Sequence, residues 1–148
     1  MTTLQMPKVE QSILSNKDKI VFDIGKILKK ENILSHDDEV KPYETDALAA
    51  YKQTPLIVAL PETVEEVSEV LKYCNNNKIK VVPRGAGTGL SGGSLPLADC
   101  VLLSMGKFNK ILELDYKNNT SFLVGMYINF PNSPTLEKGL LWINPKED

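Results

Sequence analysis

Ile13, Leu14, Ile20, Val21, Ile24, Ile27 and Leu28 keep a rough 3.6-residue apolar stripe, which predicts helix over residues 9–34. Gly25 weakens that stripe, and Asn16 is placed to start a second helix within it. Residues 35–53 are polar and interrupted by proline, so they read as a surface connection. The pattern then changes. Residues 56–60 (LIVAL) form a continuous apolar run between Pro55 and Pro61, as in a short strand buried on both faces. Thr63 with Glu66 makes a capping box, and Val64, Val67, Leu71 and Cys74 follow on one helical face. Asn75, Asn76 and Asn77 favour a turn and end the helix. Residues 79–82 (IKVV) form a second strand, which Pro83 is expected to stop.

Strand, helix and strand within about 30 residues make a βαβ unit with parallel strands and a right-handed crossover. Further on, 101–104 and 111–114 are short strand candidates, and residues 117–120 read as a hairpin turn into a strand at 122–124. Residues 126–148 hold three prolines and little periodicity, so no regular structure is expected there. The fold class is α/β (α+β). A helical segment and connection over 1–53 precede the main unit at 54–148, whose pattern is lost after about 125.

Bulk properties narrow the function by exclusion. The 148 residues, 42% hydrophobic and 24% charged, suit one soluble domain. A net charge of -2 points to no nucleic-acid or anionic-membrane partner. Cys74 and Cys100 form no CxxC pair and no metal spacing, so they read as two buried thiols in a reducing cytosol. The first residues lack a secretory pattern, and no apolar run approaches the ~20 residues of a membrane span. A soluble cytoplasmic protein without a metal site is expected. Glu44, Asp46, Glu62 and Glu65 read as solvated surface carboxylates, and His36 as a surface-loop histidine.

Residues 83–93 read PRGAGTGLSGG, with glycine at 85, 87, 89, 92 and 93. Such density costs chain entropy, so backbone without Cβ atoms is needed there. Successive amides in such a loop converge into an anion-binding concavity. Arg84 adds a charge, and Thr88, Ser91 and Ser94 add hydroxyl donors. A Walker A loop is excluded because no Gly-Lys-Ser/Thr follows. Gly87, Gly89 and Gly92 do satisfy GxGxxG, yet that fingerprint must open a helix. Gly93 and Pro96 prevent one.

This loop resembles the pyrophosphate loop of FAD-linked oxidases with the vanillyl-alcohol-oxidase/PCMH-type fold, in the branch of the glycolate oxidase D subunit and D-lactate dehydrogenases. The resemblance extends over about residues 36–125, through PYETDALAAY (42–51), PLIVALPETVEEV (55–67) and LPLADCVLLSMGKFNKILELD (95–115). It implies that Arg84, Gly85, Ala86, Gly87, Thr88, Gly89, Ser91 and Gly92 hold the FAD diphosphate. Some members bond a loop histidine covalently to the flavin. Here Thr88 stands in that region and His36 lies far upstream, so non-covalent FAD is implied.

The family pattern fades near Gly125, and the second flavin segment, the substrate-capping domain and the catalytic histidines have no counterpart. The resemblance therefore implies a truncated first flavin subdomain from a 2-hydroxy-acid oxidase or dehydrogenase, with apolar strand faces left uncovered. No catalytic residue is assigned, and a 2-hydroxy-acid substrate enters only in the full-length context. The alternatives are a non-catalytic fragment and a split subunit that completes a flavin site with a partner chain.

Overall fold

Asn16 divides the first apolar stripe in two, as its place in the sequence suggested. In the computed structural model, which describes residues 7–115 and 120–124 and those beyond 110 by backbone alone, α1 spans Gln11–Ser15 and α2 spans Lys17–Ile24. Gly25 closes α2 with its N–H on the Val21 carbonyl at 2.9 Å. The expected helix does not continue to residue 34. A 3-10 turn at Lys30–Asn32 leads into the two-residue strand β1, Ile33–Leu34. There Ile33 and Leu34 pair antiparallel with Ala59 and Val58, so sheet pairing overrides the helical stripe. The connection holds α3 (Asp37–Val40) and a 3-10 turn at Lys41–Tyr43.

The main unit follows its pattern closely. Strand β2 is Ile57–Ala59, helix α4 is Val64–Asn76 and strand β3 is Lys80–Arg84. Glu66 N donates to Thr63 Oγ1 at 3.2 Å while Glu66 Oε2 accepts from Thr63 N, closing the predicted capping box. Strand β4 is Cys100–Ser104 and inserts between β2 and β3, parallel to both. The sheet order β1-β2-β4-β3 leaves β3 at an edge. That place explains why Pro83 does not stop the strand. It pairs with Leu103 from the edge, where its missing N–H disrupts no inner ladder. A separate antiparallel pair joins β5 (Lys110–Asp115) to β6 (Thr120–Val124). The expected turn at 117–120 lies outside the described residues but for Thr120, which is in β6, and residues 126–148 lie outside them altogether.

Alternation along the parallel strands sorts the core. Ile57, Ala59, Val101 and Leu103 face one side, with Ile20 and Ile24 of α2 and Val70 and Cys74 of α4. Val58 and Leu102 face the other side, where Val40 joins them and Tyr43, Leu34 and Val82 pack against them. The second face was expected to be bare. It is not: both strand residues are fully buried, because the 34–43 connection folds over them.

Candidate functional site

Where β3 ends at Arg84, the chain loses regular structure through Ser94. Gly87 at φ 71° and Gly92 at φ 73° take the left-handed region, which other residues enter at a cost. Among the described residues, no N–H from Gly85 to Ser94 donates a hydrogen bond. A run of successive amides is thus available at the end of a strand. Thr88, Gly89, Leu90 and Ser91 are exposed, and Leu90 is 74% accessible. No helix opens at Gly89, so the dinucleotide fingerprint of a helix N-terminus stays excluded.

The loop rests on a strap made from residues 43–48. Arg84 Nη1 donates to the carbonyls of Thr45 at 2.7 Å and Tyr43 at 3.4 Å, and its guanidinium lies 5.7 Å from the Tyr43 ring centre. Ala47 N donates to the Gly87 carbonyl at 2.8 Å. A Cβ at Gly92 would meet Leu48 Cδ2 at 3.7 Å. Arg84 therefore turns back beneath the loop and shapes it from below. The sequence suggests a charge at Arg84 free for the ligand, and it carries no local sign of this long-range anchoring.

Asp46 corrects another expectation. It is only 5% exposed, not a solvated surface carboxylate. Its Oδ1 accepts the Leu48 N–H at 2.9 Å, while Oδ2 is buried without a partner among the described residues. Glu62 also departs from the solvated reading. It accepts from Lys29 Nζ at 2.8 Å, from Asn32 Nδ2 at 3.1 Å and from Lys107 Nζ at 3.1 Å. The Lys29 hydrogen bond leads these in holding its carboxyl down at about 2. Asn32, fully buried and bonded also to Lys107 Nζ, went unnoticed in the sequence. Glu44 pairs with Lys52 at 3.1 Å, Glu65 is exposed, and His36 is exposed at the start of α3 as anticipated. Cys74 and Cys100 are buried free thiols, and burial pushes both up to about 11. Among the described residues no cluster of three His, Cys, Asp or Glu could hold a metal.

A ligand that meets free amides must be anionic, and a diphosphate satisfies that demand. The side of the Gly87 Cα where a Cβ would stand is filled by the Arg84 guanidinium. Residues 55–122 match the family described as FAD binding domain. That stretch is similar to the FAD-binding domains of this family. Its cofactor is FAD, and the loop that begins at Arg84 lies wholly within the matched stretch.

Relatives and solved structures agree with this placement. Glycolate oxidase subunit GlcD of Escherichia coli (strain K12) is 51% identical over 83 residues, which are 56% of this chain and 17% of that protein. The mitochondrial D-2-hydroxyglutarate dehydrogenase of Arabidopsis thaliana is 38% identical over 104 residues, 70% of this chain and 18% of that one. The crystal structure of p-cresol methylhydroxylase with substrate bound superposes with a TM-score of 0.60 at 28% identity, over 74% of this chain and 21% of that one. The chain thus spans less than a fifth of the length of these two curated relatives. Among the described residues no helix is long and apolar enough to cross a membrane.

Proposed function

We propose that residues 83–93 grip the diphosphate of a non-covalently bound FAD in an oxidoreductase acting on a 2-hydroxy acid of the glycolate or D-lactate type. The observation that carries this reading is the run of unpartnered N–H groups from Gly85 to Ser94, curved by two left-handed glycines. The amides of Gly85, Ala86, Gly87, Thr88, Gly89, Ser91 and Gly92 would face the diphosphate. Arg84 would support the loop from beneath. The names of the relatives, a glycolate oxidase subunit and a D-2-hydroxyglutarate dehydrogenase, support the substrate class because both act on 2-hydroxy acids.

FAD, when bound, supplies the chemistry by accepting a hydride equivalent from the hydroxyl-bearing carbon. The residues of this chain bind and orient it. Backbone amides on a diphosphate hold ground and transition states equally, so they give affinity and not rate. The flavin-binding unit would begin at residue 54, on a support supplied by residues 1–53. Two buried free thiols support a reducing, cytoplasmic setting.

The test is the purified protein. A flavin absorbance spectrum, with the colour released entirely by acid, is the expected result. Flavin fluorescence remaining on the denatured band would overturn the non-covalent part, and a colourless folded protein that takes up no FAD would overturn the site.

A further inference from the structure

The loop is not the only part of this site with an unmet bond. Asp46 belongs to the strap under the loop, outside the 55–122 stretch that defines the family. Its neighbours are fixed from both sides: Thr45 O by Arg84, Ala47 N by Gly87 O, and the Leu48 side chain against Gly92. Its own Oδ1 is satisfied by Leu48 N. Oδ2 is buried and accepts nothing among the described residues. A buried acceptor without a donor is costly and rare, so its persistence beside a ligand loop calls for a donor that arrives with the ligand.

We propose that Asp46 is a further cofactor-binding residue, whose Oδ2 accepts a hydrogen bond from a sugar hydroxyl of the bound dinucleotide. This rests on the reading of the loop given above. The chemistry selects the group. A carboxylate only accepts, and it repels phosphate oxygens. The donors flanking a dinucleotide diphosphate are the hydroxyls of its ribose and of its ribityl chain. An acidic side chain on a ribose hydroxyl is also the solution used in unrelated dinucleotide folds. The amides of residues 88–91 are tied to nothing among the described residues.

The test compares three probes on the 148-residue chain and on Asp46→Asn: inorganic pyrophosphate, ADP and FAD. The amide keeps an oxygen for Leu48 N and puts an N–H₂ donor where Oδ2 stood. FAD binding is expected to weaken about tenfold, the value of a hydrogen bond to a charged group, while pyrophosphate binding stays unchanged. A matching loss with ADP assigns the contact to the adenosine ribose, and a loss with FAD alone assigns it to the ribityl chain; either supports the proposal. Asp46→Ser, whose hydroxyl can still close the turn, should behave like Asp46→Asn and guards against a folding defect in one variant. Unchanged FAD affinity would overturn the proposal, as would an equal loss for pyrophosphate, which would mean that Asp46 acts only through the loop. A wild-type chain that binds none of the three would instead refute the loop as the site.

Discussion

The guanidinium of Arg84 lies directly beneath the Cα of Gly87, so close that a Cβ there would clash with Nη2. Gly87 also sits at φ 71°. The left-handed conformation favours glycine at this position, and a Cβ would also displace the Arg84 guanidinium from its hydrogen bonds to the Thr45 and Tyr43 carbonyls. Gly89 contrasts with it, since a Cβ there would meet nothing within 4 Å and its φ lies outside the left-handed region.

Gly87→Ala is therefore expected to destabilise the chain by about 1–3 kcal/mol, the usual cost of a side chain in strained backbone. Gly89→Ala is expected to leave stability within about 0.5 kcal/mol. Thermal or urea unfolding of the two ligand-free variants checks the contrast. Equal stabilities would mean that the Arg84–Gly87 packing is not as described.

The carboxyl of Glu62 titrates at about 2 in the folded chain, against 4.5 for an unperturbed glutamate, because Lys29, Asn32 and Lys107 all donate to its charged form. A depressed carboxylate stabilises the fold above its unfolded value and loses that contribution as pH falls through the folded one. Stability should thus decline from about pH 5 towards pH 2. In Glu62→Gln the decline over that window should be shallower, as read by urea unfolding at successive pH values. An identical acid profile would show that the Glu62 cluster contributes nothing to it.

With thiols raised to about 11 by burial, Cys74 and Cys100 carry almost no thiolate near neutral pH. Neither should react with a thiol reagent in the native chain, and both should react in urea. Rapid labelling of the folded protein would contradict the packing of α4 against β4.

How far the sequence was readable follows from the range of the interactions involved. Thr63 and Glu66 lie three residues apart, and the βαβ unit they open was legible because its cap, face and turns are all local. Ile33 and Leu34 were absorbed into a helical stripe, since their strand exists only through pairing with Val58 and Ala59. The insertion of β4 between β2 and β3 is likewise a choice among long-range pairings that no local pattern encodes. The irregular course of the glycine loop was legible because five glycines in eleven residues, followed by Pro96, disfavour a helix. Its support was not. Asp46 and Arg84 are far apart in the chain, and only the fold reveals that one is buried and the other turned beneath the loop.

The amides of Gly85, Ala86, Gly87, Thr88, Gly89, Ser91 and Gly92 are proposed to hold the diphosphate of FAD. Titration of FAD with the 148-residue chain and with Gly87→Ala, followed by flavin fluorescence, tests that proposal most directly. The account predicts saturable binding by the wild-type chain and at least a tenfold weaker affinity for the variant, about 1.4 kcal/mol or more. No binding by the folded wild-type chain, or the same affinity in both, would contradict it.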